Sequence, residues 1–302
     1  MTIYNFKKES KLHVVYNGLR YVLDIYPDFT FSQTFNETSV QVKTLHSQYN
    51  MFEDAVITKA NSANFSFTTP LMLQADMDIL LTLLNSWDAS NVEAVLKTAD
   101  LYFEANSEIY KLEKVVFESG TFQISRNSIL LISYSGSASK LYKYIGALPG
   151  TLQTRSATMS YSVPTSVTVT IGGIVQTLIS AITVELKNNV QWLDFATLQN
   201  SLIISNASGT MYPEAFVVSG RVFSGTIQQY ITDDTNTNVH TWKTNSSINI
   251  KVANLGSATT IEFDFPSVVF TNRIDIQDLY TQGYDFRINT NPTSPIIIKT
   301  SI

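Results

Sequence analysis

The sequence predicts a mainly β protein, on three observations. Apolar and polar residues alternate along most segments. The apolar positions are filled by β-branched and aromatic residues, among them 15 Tyr and 17 Phe. Hydrophobic residues make up 44% of the chain and charged residues only 15%, which fits neither a disordered chain nor a charge-rich helical one. At 302 residues the chain can bury a sizeable core, as two domains or as one large β domain.

The elements follow in order. "LHVVYNGLRYVLDI" is a hairpin, two apolar runs around Asn17-Gly18, a pair suited to a type I′ turn. A polar-faced strand is expected over Phe29–Leu45, with Phe31 and Phe35 of "TFSQTF" on one face and Phe29 just before. A long loop, "HSQYNMFEDAVITKANSAN", precedes a second strand, "NFSFT", with Phe65 and Phe67 on one face. "PLMLQADMDILLTLLNSWD" breaks the alternation. Asp76 and Asp78 precede Ile79, Leu80, Leu83 and Leu84 at helical spacing, which predicts a helix of about three turns whose stripe covers a sheet.

The order then repeats. "VTVTIGGIVQTLI" is a hairpin turning at Gly172-Gly173. "ITVELK" points Ile182, Val184 and Leu186 inward and Thr183, Glu185 and Lys187 outward. A long loop follows, then "FVVSGRVFSGTIQQYI", a long strand interrupted by Gly220 and Gly225. "INIKV", "TIEFDF" and "RIDIQD" extend the rule to the C-terminal region, where they match "ADLYFEANSEIYKLEKVVFESGTFQI" in order and spacing. This is a divergent duplication rather than a short-period repeat. The Gly/Pro/Ser/Thr-rich "GALPGTLQTRSATMSYSVP" predicts the linker, giving domains 1–150 and 151–302.

Several chemistries have no support. The net charge is −5, and "KK" at Lys7 and Lys8 is the main basic cluster, so a conventional nucleic-acid grip is not expected. There is no cysteine. His13, His46 and His240 stand in unrelated contexts with no metal-ligand spacing, so no cofactor or metal is expected. Asp233-Asp234 could touch calcium but reads as a solvated turn. Glu113 and Glu118 could serve a glycosidase but sit at alternating strand positions. The N-terminal stretch predicts no signal peptide, and no apolar run predicts a membrane span.

Hairpin, polar-faced strand, long loop, second strand, helix and further strands form an order that resembles a phage tail tube domain. "NFSFTTPLMLQADMDILLTLLNSWD" is similar to that family's strand-then-helix passage, and "GTFQISRNSILLISYSGSAS" to its closing strands. "TSVTVTIGGIVQTLISAITVELKNNVQWL" with "YPEAFVVSGRVFSGTIQQYI" looks like a second tube domain. The departure is "DDTNTNVHTWKTNSS", which stands where a second helix would be.

The resemblance implies two tandem β-sandwich tail-tube domains, the first with a flanking helix, and no enzymatic activity. It implies trimeric, pseudo-hexameric rings whose inner sheets join around a channel and stack through long loops into a conduit for genome delivery. The implied luminal residues are Thr30, Ser32, Thr34, Ser66, Thr68, Thr183, Glu185, Lys187, Ser224, Thr226 and Gln228. The implied stacking residues are Gln48, Tyr49, Met51, Phe52, Glu53, Asp54, Leu202, Ile203, Asn206 and Met211. Implied partners are further copies of the chain, a tape-measure protein, a tail terminator and baseplate proteins, with DNA passing without specific binding. The implied location is the virion tail, after assembly in the host cytoplasm. Two other readings stay open: a tail-tip or receptor-binding β-sandwich with exposed aromatics around Trp192 or Trp242, and a polysaccharide hydrolase with converging carboxylates.

Overall fold

The computed structural model describes residues 10–23, 25–40, 54–70, 75–85, 96–105, 108–125, 128–153, 164–193, 211–232, 242–254, 260–276, 279–289 and 297–300. In the first half these are β1 (Lys11–Tyr16), β2 (Leu19–Leu23), β3 (Thr30–Ser32), β4 (Phe35–Val40), β5 (Asp54–Ala60), β6 (Ala63–Pro70), α1 (Ala75–Leu84), β7 (Ala99–Ala105), β8 (Glu108–Ser125), β9 (Leu131–Ala138), β10 (Lys140–Tyr144) and β11 (Thr151–Leu152). The second half contains β12 (Pro164–Ile171), β13 (Ile174–Gln176), β14 (Ile179–Leu193), β15 (Ala215–Tyr230), β16 (Trp242–Asn254), β17 (Thr260–Ile276), β18 (Tyr280–Ile288) and β19 (Ile297–Thr300). The chain is mainly β, as the alternation predicts.

Both hairpin turns have the backbone their residues demand. Asn17 and Gly18 take φ of 48° and 76°, and Gly172 and Gly173 take 59° and 83°. Positive φ at both central positions gives the twist that lets flanking strands pair.

Apart from β2–β11 and β4–β5, the two halves share one set of pairings. β1 pairs with β2 and β7, and β12 with β13 and β16. The ladders β3–β6, β6–β9 and β9–β8 recur as β14–β15, β15–β18 and β18–β17. β7 and β10 flank the start of β8, as β16 and β19 flank the start of β17. β8 and β17 each change partners midway. β8 leaves β7 at Val115 and joins β9 at Val116, next to Lys114 with a φ of 53°. β17 exchanges β19 for β18 along one edge, on either side of Pro266, which has no N–H to donate to a ladder, while β16 holds the other edge as far as Thr271.

Among the described residues, one ladder joins the halves: β8 pairs with β14 from Ser119–Lys187 to Ser125–Ala181. The apolar faces on both sides merge into one core. Phe65, Phe67, Phe117 and Tyr134 form its aromatic cluster in the first half, and Phe223, Phe265 and Phe286 in the second. Phe122 meets Phe263 edge to face at 5.0 Å, so the core crosses between halves.

The helix lies where the stripe predicts, with Leu80, Leu83 and Leu84 fully buried. Leu84 sits over Gly120 of β8, where any Cβ would intrude on it. Asn188 of β14 is 1% exposed and donates to the Leu84 carbonyl (3.1 Å) and the Phe117 carbonyl (3.0 Å). A side chain from the second half thus satisfies an end carbonyl of the helix in the first, one of the groups a helix leaves unpaired.

Three expectations need correction. Phe29–Leu45 is not one strand: β3 ends at Ser32 and β4 starts at Phe35. Gln33 causes the break, donating to the Asn61 and Ser139 carbonyls (2.8 and 3.1 Å) and accepting from the Leu141 amide (2.9 Å). Phe35 is therefore 45% exposed instead of sharing the inward face of Phe31. The long loop between the strands includes β5, which pairs with β4 as a separate hairpin, so Asp54 belongs to a strand.

The glycines of β15 have two separate reasons. Gly220 borders a bulge, where the register slips between Asn189–Gly220 and Val190–Val218. At Gly225 a Cβ would come within 2.5 Å of both the Thr183 carbonyl oxygen and the Phe286 ring. The Phe286 side chain fills the space that the missing Cβ leaves. Gly225→Ala should therefore destabilise the fold by about 1–3 kcal/mol through overpacking. Denaturant titration checks this, and Gly220→Ala, whose Cβ would meet only the Asn189 amide at 3.7 Å, is the mild control.

Candidate functional site: a hydroxyl-lined sheet face

The ladders run in the order β3–β6–β9–β8–β14–β15–β18–β17, an eight-strand wall made by both halves. Because side chains alternate, one register fixes which residues share a face across all the strands. One row reads Thr30, Ser66, Ser135, Ser119, Lys187, Val222. The next reads Thr68, Ser133, Thr121, Glu185, Ser224, Arg287, Val269. A third reads Leu131, Gln123, Thr183, Thr226, Asp285, Thr271. A fourth reads Ser125, Ala181, Gln228, Gly283, Arg273. The opposite face carries Phe122, Val184, Phe286 and Phe270 on a single line through Gly225, all buried in the core.

Small hydroxyl side chains bond across the strands. Thr30 and Ser66 share a hydrogen bond of 2.8 Å, Thr68 and Ser133 one of 3.1 Å, and Ser119 and Ser135 one of 2.9 Å. Thr226 donates to Asp285 at 2.9 Å. Such cross-strand pairs stabilise a sheet without projecting far from it. The first-half strands contribute no charge to these rows. The second half contributes Lys187, Arg273 and Arg287 against Glu185 and Asp285, both signs interleaved.

The register brings together Thr30, Ser66, Thr68, Thr183, Glu185, Lys187, Ser224, Thr226 and Gln228 on this face. Ser32 lies opposite Asn64 at its edge. Thr34 lies outside it, in the break before β4, accepting from the Asn61 side chain at 2.9 Å. The sequence reading missed the hydroxyls of β8 and β9, Ser119, Thr121, Ser133 and Ser135. Their alternation in "ESGTFQIS" and "LISYSGSA" was the available signal.

Of the long-loop residues, Gln48, Tyr49, Met51, Phe52, Glu53, Leu202, Ile203 and Asn206 lie outside the described residues, as do His46, His240 and Asp233-Asp234. Met211 is buried, and beside it Tyr212 lies under Lys140, whose Nζ is 4.6 Å from the ring.

Trp192, Ser137 and Glu118 form a relay between the halves. Trp192 packs on Phe216 and donates through Nε1 to Ser137 Oγ at 2.7 Å. Ser137 in turn donates to Glu118. Glu118 is the residue that bulges out of β8 between Phe117 and Ser119. Burial raises its pKa above the ordinary 4.5, opposed by the Ser137 hydrogen bond and the Lys187 charge. Glu113 lies before the partner change in β8, with Lys111 Nζ at 3.8 Å. The two carboxylates thus hold separate structural positions on either side of that change. Among the described residues there is no metal-binding cluster, and no helix is long and apolar enough to cross a membrane.

The model of the bacteriophage baseplate tube protein family matches residues 2–301. The chain belongs to that family. This baseplate tube chain is accordingly a structural component of the phage tail. A comparison with curated proteins gives no match.

The raised pKa of Glu118 gives a pH prediction. The folded state holds this proton more tightly than the unfolded state, so stability is greatest below about pH 4.5 for this group and falls as pH rises through the folded pKa. Glu118→Gln keeps an acceptor for Ser137 and removes the buried charge. Its melting temperature should equal wild type near pH 4 and exceed it at pH 7 to 8. Thermal melts across that range check the sign.

Proposed function

We propose that the chain is two fused tube domains, 1–150 and 151–302. Three chains would make a pseudo-hexameric ring, and the hydroxyl-lined face would line the channel through which the genome passes. The observation that carries this reading is the β8–β14 ladder, which makes one wall from the inner sheets of both halves. The matching pairing sets of the halves support the two-domain division, with the first half's pairings running to β11 (Thr151–Leu152, paired with β2), just past position 150.

The wall chemistry suits transit. DNA is held by cations that neutralise phosphates, and each such contact adds affinity. Here the cations are few and interleaved with carboxylates, and half the wall is uncharged. Short hydroxyls and amides keep the surface wetted, and no row offers a basic track. The chain binds no cofactor in this role and performs no catalysis. Its partners would be its own copies, a tape-measure protein, a terminator and other baseplate proteins, met during assembly in the host cytoplasm.

Stacking is supported by the two ends of the wall. Residues 194–210 connect β14 to β15, and residues 41–53 connect β4 to β5 of the separate hairpin that lies in the chain between β3 and β6, the first-half counterparts of β14 and β15. At the opposite end of the second half, Leu178, Tyr230, Leu279 and Tyr280 are exposed. Backbone bonds hold them together: Tyr230 donates to the Leu178 carbonyl (3.1 Å) and Ile231 to the Tyr280 carbonyl (2.9 Å). A chain with long connections after β4 and β14 and an apolar rim at the opposite end of the second half would stack head to tail. Heterologous contacts of that kind give an open filament.

Negative-stain microscopy of the purified protein at high concentration, with mass photometry, tests the reading. Hollow tubes or stacked rings are expected; a closed assembly with no axial channel would contradict it. Replacing 41–53 by a short Gly/Ser turn, which keeps β4 and β5, should leave rings that no longer stack. Tyr280→Glu should do the same with an unchanged melting temperature, because the side chain is 56% exposed in the single chain.

A further inference from the structure

Among the ladders of the eight-strand wall, the recurring pairings leave one without a counterpart in the chain. Every pairing of β3, β6, β7, β8, β9 and β10 within the first half has its match among β12 to β19 in the second. The β8–β14 joint has none. Its counterpart would need the late part of β17 beside β3. Those strands stand at the two ends of the wall, and no strand among the described residues pairs with the second edge of either at that place.

The register of this missing ladder can be derived. Tyr134 and Tyr284 are both buried and occupy matching positions, on β9 and β18. Phe65–Gly136–Phe117 in the first half then matches Gly225–Phe286–Phe270 in the second. Stepping along the strands, and allowing for the bulge at Glu118, Phe122 (opposite Ile132) matches Ile274 (opposite Gln282). Val184 (opposite Gly225) matches Phe31 (opposite Phe65). The internal pair Phe122–Val184 therefore has Ile274–Phe31 as its counterpart.

Exposure supports the match. Phe122 is fully buried by the joint, whereas Ile274 is 58% exposed although its parity points it to the core face. Phe31 is half-buried and stacks on Phe103 at 4.7 Å. The neighbouring pair places Arg273 beside Ser32, and both belong to the polar face, so the rows would continue across the joint without a flip.

We propose that Ile274 of one copy packs against Phe31 of a second copy. In this joint β17 (from residue 272 to 276) and β3 form an antiparallel ladder that copies β8–β14. The inference rests on the ring reading and gives it a register. β16 already holds the edge of β17 as far as Thr271, opposite Trp242, so the ladder starts beyond that residue. A second copy is the occupant because this chain carries both halves of the joint at opposite ends of one wall.

The chain has no cysteine, so introduced thiols report without background. Ile274→Cys and Phe31→Cys, made as separate variants, would be mixed, assembled and oxidised. A shift to twice the chain mass is expected in the mixture, with no shift for either variant alone. Rings or tubes without that shift would overturn the joint and spare the ring reading. Covalent dimers of one variant alone would overturn the register. A chain that forms no rings at any concentration would overturn the ring reading and the joint with it. Ile274→Lys should abolish assembly while leaving the melting temperature of the single chain unchanged; a lowered melting temperature would instead assign Ile274 to the chain's own core.

Discussion

The β8–β14 ladder is the constraint on which the rest of the structure depends. It runs from Ser119–Lys187 to Ser125–Ala181, and it sets the register of everything on either side. A slip of one residue would turn every side chain of one half to the other face. Phe122 and Val184 would then leave the core, and Thr121 and Glu185 would enter it. Burial of Phe122, Ile182, Val184 and Leu186 along this ladder makes such a slip costly. Burying side chains of that size contributes roughly 1.5–3 kcal/mol each. Continuity of the hydroxyl rows is a consequence of the same burial.

Around this ladder the halves are locked by polar contacts that neither could complete alone. Asn188 answers carbonyls of α1 and β8 while accepting from Arg221 at 2.7 Å. Trp192 reaches Ser137, and Ser137 reaches Glu118. These side chains are spent on holding two sheets in one plane. A structural subunit needs that rigidity more than it needs a cleft, and the carboxylates that a hydrolase would require are tied into the frame. The two tryptophans differ: Trp192 is engaged on Phe216, whereas Trp242 is 65% exposed.

Much of the fold was legible because it follows from local chemistry. Asn17-Gly18 and Gly172-Gly173 state their turns outright, and "ITVELK" alternates without exception. Gly225 was visible as an interruption, but its cause, the Phe286 ring, comes from the residue paired with it on β18, far along the chain, and cannot be read locally. The break at Gln33 was illegible for the same reason: "TFSQTF" alternates well, and only the distant Asn61, Ser139 and Leu141 backbone turns Gln33 into an anchor. β5 was hidden in a stretch that reads as a loop because its partner is the polar β4. The hydroxyl face was half-legible. The residues of β3, β6, β14 and β15 stood out by alternation, whereas β8 and β9 were read for their order alone. Which strands sit side by side is non-local, and the face exists only once they do.

The account's central claim is that both halves of the chain present one continuous hydroxyl-lined face to an axial channel. Cryo-electron microscopy of the assembled protein at side-chain resolution tests it most directly. The account predicts that Gln123, Thr183 and Thr226, from β8, β14 and β15, lie side by side on the channel wall. Finding them on the outer surface of the assembly, with the channel lined by another face, would contradict it.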